Sequence, residues 1–253
     1  LEARSKVDVA LANMQPDPAA FRASEDKAFV EAMGEKVASY IFYGDSMKNM
    51  DEFNGLSVRY GEYGGEKRDA SYQVINAGGT GKGKLSSAYL VGWGDNGAMG
   101  IYPKFGYAGL RREDKGVEKV IDSDGGEYDA YTTLFTWMPG LAIKDPEMVA
   151  AVRNIDLGAL SGDKATMAQK KNVVDSMIRA QGRMRRLTGD VKPVWYVSPE
   201  LYTFLTLYLN DKNNVYITRK ELADGIPILA VNGIIVKKED ALLDTEDAVA
   251  EKK

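Results

Sequence analysis

The stretch DPAAFRASEDKAFVEAMGEKVASYIFYGD, from Asp17 to Asp45, predicts one long amphipathic helix. Its large apolar side chains recur at steps of four residues or a multiple of four, as on one face of an α-helix. These side chains are Phe21, Phe29, Met33, Val37 and Ile41. Asp17 can cap the first amides, Pro18 suits the first helical position and Gly44 suits the end. Ser24 offers an alternative start.

The length of this helix leaves two interpretations open. A helix of roughly 25 residues is roughly 38 Å long, which exceeds most helices in globular domains. Such a rod needs packing partners along its whole length. The helix is therefore either the centre of an ordinary α+β domain or the spine of an extended subunit that builds a shell.

The composition is that of an ordinary globular protein and restricts its partners. The chain has 253 residues, of which 44% are hydrophobic and 28% charged, enough for one large domain or two small ones with a real core. The net charge of −4 argues against a dedicated nucleic-acid binder, which usually carries a basic balance. No apolar run approaches the roughly 20 residues that cross a bilayer, and no signal peptide is visible. Because the sequence starts at Leu1, without methionine, we expect further residues upstream.

Two missing residue types restrict the chemistry. The sequence contains no cysteine, which excludes disulfides, thiol nucleophiles and thiolate metal sites. It contains no histidine, which excludes Ser-His-Asp triads and imidazole-ligated zinc. An enzyme would have to use carboxylates, lysine, arginine, tyrosine, serine or backbone amides.

Apolar periodicity and turn residues predict a mixture of strands and helices after the long helix. Near the start of residues 1–14, the alternation around Val7 and Val9 predicts a short strand or the returning limb of a longer arm. Further strands are predicted at residues 55–60, 71–75, 87–93, 98–102, 117–121, 128–137, 191–197, 215–218 and 226–238. Further helices are predicted at 145–156, at 163–187 and from 199 onward. The runs around DSDGGE (122–127) form a long hairpin, 98–102 is the return strand after 87–93, and Asn232-Gly233 turns a final hairpin. Residues 239–253 are predicted to be an acidic, frayed end.

Two groups of side chains are candidates for core or subunit contacts. The strand at 128–137 is half apolar on both faces, which is typical of a strand covered on both sides or lying between subunits. Its aromatic residues Tyr131, Phe135 and Trp137 are better explained in this way than as a platform for stacking bases. The second group is the arginine run that ends the helix at 163–187. Arg183, Arg185 and Arg186 either face solvent, pair with acids of a neighbouring subunit, or meet phosphate groups.

Three short motifs suggest chemistry but are incomplete. Gly78, Gly83 and Lys84 match the start of a phosphate-binding loop, but Leu85 stands where serine or threonine must follow, and a strand replaces the expected helix. Asp122-Ser123-Asp124-Gly125 resembles a calcium loop without its final glutamate. Ser161 and Lys164 have a hydrolase spacing without the companion motifs. A mobile loop, a hairpin turn and a helix cap explain the three motifs better than phosphate binding, calcium binding or hydrolysis.

Several segments resemble the major capsid proteins of tailed bacteriophages, most of all a branch found in short-tailed phages. AFRASEDKAFVEAMGEKVASYIFYGD, followed by FNGLSVRY, is similar to the spine helix and the turn after it. The other similar segments are SSAYLVGWGDNGAMGIYPK, EYDAYTTLFTWMPGLAIKDPEMVAAVRNID, YVSPELYTFL and ITRKELADGIPILAVNGIIV. The resemblance covers nearly the whole chain, and its motifs are distributed along it and not catalytic.

The resemblance implies the Hong Kong ninety-seven fold: an α+β subunit with a spine helix and a long hairpin in a peripheral domain, and an axial domain of sheet flanked by helices. It implies hexamers and pentamers that close into an icosahedral head around double-stranded DNA. The partners it implies are copies of the chain, a portal, scaffolding or decoration proteins, and DNA held without sequence preference. It implies no enzymatic activity, cofactor or metal, and a place in the virion after assembly in the host cytoplasm.

The implied domain boundaries depart from the usual family pattern. Residues 1–16 would be the remnant of an arm or extended loop, 17–45 the spine and 111–143 the peripheral hairpin, which here follows the spine. Residues 46–110 and 144–243 would form the axial domain, and 244–253 an acidic tail. An encapsulin-like compartment for protein cargo and a nucleotide-binding module using residues 78–84 are the alternatives.

Overall fold

The computed structural model describes residues 1–81, 83–161, 167–185, 191–209, 217–221 and 227–252. It contains two compact units: unit 1 with residues 1–38 and 100–140, and unit 2 with residues 39–99 and 141–253. The α-helices are α1 (Val9–Asn13), α2 (Pro18–Tyr43), α3 (Leu56–Arg59), α4 (Leu157–Ser161), α5 (Met167–Arg183) and α6 (Pro199–Leu209). The strands are β1 (Glu2–Asp8), β2 (Val74–Asn76), β3 (Leu85–Trp93), β4 (Ala98–Ile101), β5 (Leu110–Ile121), β6 (Glu127–Trp137), β7 (Gly140–Ile143), β8 (Val149–Asp156), β9 (Lys192–Val197), β10 (Ile217–Glu221), β11 (Pro227–Val231) and β12 (Ile234–Lys238). The predicted α+β class is confirmed.

The predicted long helix is α2, and its ends follow from local chemistry. The amides of Ala19 and Ala20 donate to Asp17 Oδ1 at 2.9 and 3.1 Å, so the helix begins at Pro18 and the alternative start at Ser24 is wrong. The helix ends before Gly44, where an added Cβ would lie 2.3 Å from a backbone oxygen. Only glycine allows the chain to approach itself so closely at this position.

Unit 1 contains a three-stranded antiparallel sheet in the order β1-β6-β5. The predicted hairpin is confirmed: the Asp122 amide donates to Gly126 O at 2.8 Å, and Gly125 turns the chain with a φ of 83°. The predicted strand at the start of the chain is also present, although it ends at Asp8. The Asp8 carboxylate accepts from two amides of α1 and thereby starts that short helix.

Unit 2 is built on a sheet with β3 near its centre. β3 pairs antiparallel with β8 on one side and with β9 on the other, β2 adds to β8, and β12, β11 and β10 continue beyond β9. Apolar clusters cover both faces. Ala88, Leu90 and Trp195 belong to the cluster that contains α5 and α6, whereas Tyr89 and Val91 belong to the cluster with Phe42. Alternate residues of one strand therefore serve two cores.

The helix predicted at 145–156 is wrong. Asp145 does cap a turn, since its carboxylate accepts from the Glu147 amide at 3.0 Å, but this turn is a single 3-10 turn at Pro146–Met148. The chain then continues as β8, in which seven of eight residues are buried. A strand buried on both faces is apolar at every position, so its sequence lacks the alternation that identifies a half-exposed strand.

Three other local predictions need correction. Residues 55–60 do not begin a strand, because Leu56–Arg59 is a short helix. Residues 71–75 are strand only from Val74, after a 3-10 turn at Ala70–Gln73. β4 does not form an antiparallel return strand beside β3. Instead, Trp93 at the end of β3 pairs in parallel with Ala98 at the start of β4.

The later elements agree with the prediction where the structure describes them. α5, β9 and α6 are present, and the Ser198 hydroxyl accepts from the Leu201 amide to cap α6. The final hairpin turns at Asn232-Gly233, with φ values of 46° and 82°. Residues 163–166, 186–187, 215–216 and 226 of the predicted elements lie outside the described residues.

Residues 239–252 are not frayed, which corrects the prediction for 239–253 as far as the structure describes it. Leu242 and Glu246 are buried in unit 2. Backbone hydrogen bonds join Glu246 to Leu85 in both directions, and Lys252 N donates to Tyr63 O at 2.8 Å. The segment therefore packs along unit 2 as an ordered strap, despite its acidic composition.

Candidate assembly surfaces

The described part of the chain contains no cluster of side chains suited to metal binding. None of its carboxylates form a group of three that could hold a metal ion. The loop at 78–84 leads into β3 and not into a helix, and the Gly83 amide donates to Asp247 Oδ1 at 3.2 Å. A phosphate at this position would therefore have a carboxylate beside it and no helix N-terminus to bind it. No helix of the described residues is long and apolar enough to cross a membrane.

The candidate residues of α2 differ in exposure. Met33 and Val37 are buried, each only 6% exposed, while Phe29 and Ile41 are partly exposed. The predicted stripe thus continues along the helix, but only its middle is fully covered within one subunit. Ile41 packs against the cluster that contains Phe42, and an inter-subunit role for Phe29 and Ile41 stays a prediction.

In unit 1, α2 lies on the sheet face that carries Tyr131. Two ion pairs join the helix to the sheet, and the helix contributes the cation to one and the anion to the other. Arg22 of α2 contacts Asp114 at 2.9 Å, and Asp26 of α2 contacts Arg112 at 2.8 Å. The Gly116 amide and the Arg22 guanidinium hold the pKa of Asp114 below its ordinary value. Because the charges alternate on both elements, a shifted register would bring like charges together.

The three aromatic candidates of β6 also differ. Phe135 is buried, whereas Tyr131 and Trp137 are partly exposed. The guanidinium of Arg22 lies over the Tyr131 ring, 4.5 Å from its centre. Phe135 is therefore a core residue of unit 1, and an inter-subunit role for Tyr131 and Trp137 stays a prediction.

Two of the three candidate arginines have partners within unit 2. Arg183 stacks on the Tyr72 ring at 4.6 Å and donates to the Val74 carbonyl at 3.1 Å. Arg185 pairs with Asp145 at 3.2 Å while its side chain remains mostly exposed. Arg186 lies outside the described residues. A role for this arginine run between subunits also stays a prediction.

A buried polar network in unit 2 escaped the sequence analysis. Glu246 pairs with Arg153 at 3.4 Å, with side chains only 6% and 7% exposed. The carboxylate also accepts from the hydroxyls of Tyr43, at 2.5 Å, and Ser87. Burial, and then the nearby carboxylate, raises the pKa of the Tyr43 hydroxyl. Arg153, a charged residue inside the otherwise apolar sequence of β8, indicates a buried ion pair. The sequence does not indicate which acidic residue is its partner, because Glu246 lies 93 positions later.

Unit 1 also presents exposed apolar side chains at one end of its sheet. The aromatic loop, residues 101–109 (IYPKFGYAG), joins β4 to β5. Phe105 at its centre is 95% exposed, and Ile101, Tyr102 and Tyr107 are also exposed. The Pro103 carbonyl accepts from the Gly106 amide at 2.8 Å, and Arg111 stacks on Tyr107 at 4.5 Å, so the loop is folded.

The opposite end of the same sheet contains a cavity of about 540 Å³. This tip cavity lies among the end of β1, α1, the start of α2 and the tip of the hairpin. Its lining residues are Lys6, Val7, Asp8, Leu11, Phe21, Glu25, Asp122, Gly126, Glu127 and Tyr128. Its lining is about equally polar and apolar, and its charged side chains are mainly acidic.

The sequence of residues 1–250 matches the family described as Major capsid protein GP7. The chain belongs to this family. The structure is similar to a chain in the cryo-EM structure of bacteriophage Epsilon15, with a TM-score of 0.61 and 27% identity over 98% of this chain and 73% of that chain. No curated protein sequence matches the chain significantly.

Membership of a major capsid protein family decides the function class. The protein is a structural subunit of a phage capsid and not an enzyme, and its fold is of the Hong Kong ninety-seven type. The family match therefore supports the interpretation as a phage head protein. It argues against the two alternatives, an encapsulin-like compartment for protein cargo and a nucleotide-binding module that uses residues 78–84. For a major capsid protein, the surfaces that matter are those that meet other subunits, and the aromatic loop and tip cavity are the clearest candidates in unit 1.

Proposed function

We propose that copies of this capsid subunit form hexamers and pentamers that close into an icosahedral head around double-stranded DNA. The observation that carries the proposal is the family match over residues 1–250. Large apolar side chains that stay exposed in the single subunit, above all Phe105, support self-association, because water-exposed apolar surface is covered in the assembled state.

The proposal includes roles for the two units. Unit 1 contains the elements that the family resemblance places in a peripheral domain: most of α2 and the long hairpin. Unit 2 contains the larger sheet and the helices packed on it, and we assign it to the axial domain that the resemblance implies. Residues 1–16 would belong to the arm or extended loop, and the strap at 244–253 would close the axial domain.

The partners of the head are also part of the proposal. A portal, together with scaffolding or decoration proteins, would complete the head, which would assemble in the cytoplasm of a bacterial host. DNA would be held by non-specific contacts, and the net charge of −4 supports a container that does not grip the packaged phosphates tightly.

Electron microscopy of the full-length chain tests this function. We expect closed particles of uniform diameter that elute in the void volume of a gel-filtration column. Particles isolated from infected cells should contain nuclease-protected double-stranded DNA. A full-length chain that stays monomeric at high concentration and at every ionic strength would refute the proposal, and particles filled with protein cargo would refute the DNA-container role.

A further inference from the structure

The aromatic loop has the features of a docking element and not of a relaxed surface turn. Its aromatic side chains project from a short segment that is fixed at one end by the Arg111–Tyr107 contact. Lys104 lies 5.8 Å from the Phe105 ring centre, so a positive charge accompanies the most exposed ring. A folded loop loses little conformational entropy when it binds, which favours docking over chance exposure.

The tip cavity offers complementary chemistry. Leu11, Phe21 and Tyr128 provide apolar walls, and Leu11 is 49% exposed. Asp8, Glu25, Asp122 and Glu127 lie around them, against the single Lys6. Lys119 pairs with Glu127, and the Asp8 carboxylate accepts from α1, so part of this acidity is compensated locally. Acidic groups nevertheless outnumber basic ones in the lining of a cavity that is large enough for an aromatic side chain.

The two features lie at opposite ends of one sheet. The loop leads into β5 at the Leu110–Trp137 pair, whereas the cavity adjoins the Ile121–Glu127 pair at the hairpin tip. The twelve residues of β5 separate these pairs by roughly 36 Å, at about 3.3 Å per residue. A loop cannot reach the cavity of its own sheet across this distance, but the loop of a second subunit can.

We infer that the aromatic loop of one subunit docks into the tip cavity of a second copy of the same chain, with Phe105 against the Leu11 wall and Lys104 towards the acidic rim. This inference rests on the proposed self-assembly and specifies one of its contacts. The contact is heterologous, since different surfaces of the two copies meet. Repeated around a rotation axis it closes a ring, as hexamers and pentamers require.

Cysteine cross-linking tests the contact directly, because the chain contains no cysteine of its own. Phe105→Cys and Leu11→Cys change two exposed side chains, so both variants should fold. In oxidised particles of the double variant we expect a ladder of covalent oligomers that reaches the ring size, since every subunit then carries both halves of the contact. Particles mixed from the two single variants should give dimers only, and each single variant alone should give monomers.

The outcomes separate the contact from the assembly itself. Cross-linked dimers of Leu11→Cys or Phe105→Cys alone would show a symmetric contact and overturn the inference. Intact particles of the double variant without any ladder would also overturn it, while leaving the capsid function in place. If no variant and no parent chain forms particles, it is the proposed function that fails.

An assembly assay gives a second, independent test. Phe105→Asp should lower particle yield at least about tenfold, because the contact would have to bury a charge. Met47→Asp is the matched control, since Met47 is 90% exposed but lies in unit 2 and outside both surfaces. Normal particle yield from Phe105→Asp, or capture of the loop by a protein other than this chain, would contradict the inference.

Discussion

At the scale of single residues, the Arg153–Glu246 pair connects the C-terminal strap to the core of unit 2. Arg153 donates to the Tyr89 hydroxyl at 2.7 Å, and Glu246 accepts from Tyr43 and Ser87, so each charge has polar partners besides the other, although Arg153 Nε is buried without one. A buried pair of this kind adds little stability compared with an apolar pair, but removing one partner leaves an uncompensated buried charge. The pair therefore fixes where the strap lies more than it raises the overall stability.

Glu246→Gln should lower the free energy of unfolding by about 3 to 5 kcal/mol, because Arg153 then keeps its charge without a buried counter-charge. Chemical denaturation of the isolated subunit measures the loss. Glu251→Gln, at an exposed position of the same strap, is the control and should change the stability by less than about 0.5 kcal/mol. If Glu246→Gln and Glu251→Gln had the same free energy of unfolding, the Arg153–Glu246 pair would have to be solvated in the folded subunit.

Alkaline pH should destabilise unit 2 through its buried tyrosines. Burial raises the pKa of Tyr43, Tyr60 and Tyr89 above the ordinary tyrosine value near 10. Since the folded-state pKa lies above the unfolded one, the stability contribution is fully present below pH 10 and is lost as the pH rises further. Each group contributes a slope of about −1.4 kcal/mol per pH unit in this range.

Tyr43→Phe isolates one of these contributions. Its slope of unfolding free energy against pH, above pH 10, should be shallower than that of the parent by about 1.4 kcal/mol per unit. Denaturant titrations at a series of pH values measure both slopes. Identical slopes in the two proteins would show that the Tyr43 hydroxyl ionises in the folded state as readily as in the unfolded one.

At the scale of secondary structure elements, α2 and β8 show how far a pattern determines a structure. α2 combines a capping aspartate, a first-position proline and a 3.6-residue period, and its predicted ends are found within two residues. β8 follows a similar Asp-Pro-Glu start but becomes a strand, because β2 and β3 provide pairing partners on both sides. Tertiary hydrogen bonding outweighs the local preference there.

Val37→Asp should abolish particle formation, because it places a carboxylate at a position of α2 that is 6% exposed. The yield of particles in the void volume measures the effect. Ala32→Asp introduces the same charge on the exposed side of the helix and should assemble normally. A normal yield from Val37→Asp would show that the buried face of α2 has been wrongly assigned.

At the scale of the whole molecule, the two units differ in how their sheets are covered. Unit 2 has apolar clusters on both faces of its sheet, whereas unit 1 has three strands with many exposed charged side chains on β5. The backbone hydrogen bonds of a sheet that is covered on both faces break only when the whole unit unfolds. Those of an exposed edge strand can break by local opening. The contrast suits a subunit with one rigid unit and one adaptable one.

Amide hydrogen exchange of the isolated subunit should show this contrast. We expect the amides of β8, which is paired on both sides, to exchange at least about tenfold more slowly than those of β5, a difference of about 1.4 kcal/mol in opening free energy. Mass spectrometry of peptic fragments resolves the two strands. Equally slow exchange in both would indicate that β5 is covered in the isolated subunit.

Local signals in the sequence were enough to predict the capped α2, the Asp-Gly and Asn-Gly hairpins, and α6 with its serine cap. The sequence also determined the family, because the resemblance is spread over the whole chain. Three features became visible only in the folded chain: the strand at 149–156, the ordered strap of acidic C-terminal residues, and the position of the aromatic loop and the tip cavity at opposite ends of one sheet. These features depend on contacts between residues far apart in the chain, such as Arg153 and Glu246. Such a contact stabilises the fold but produces no periodic pattern in the sequence around either residue.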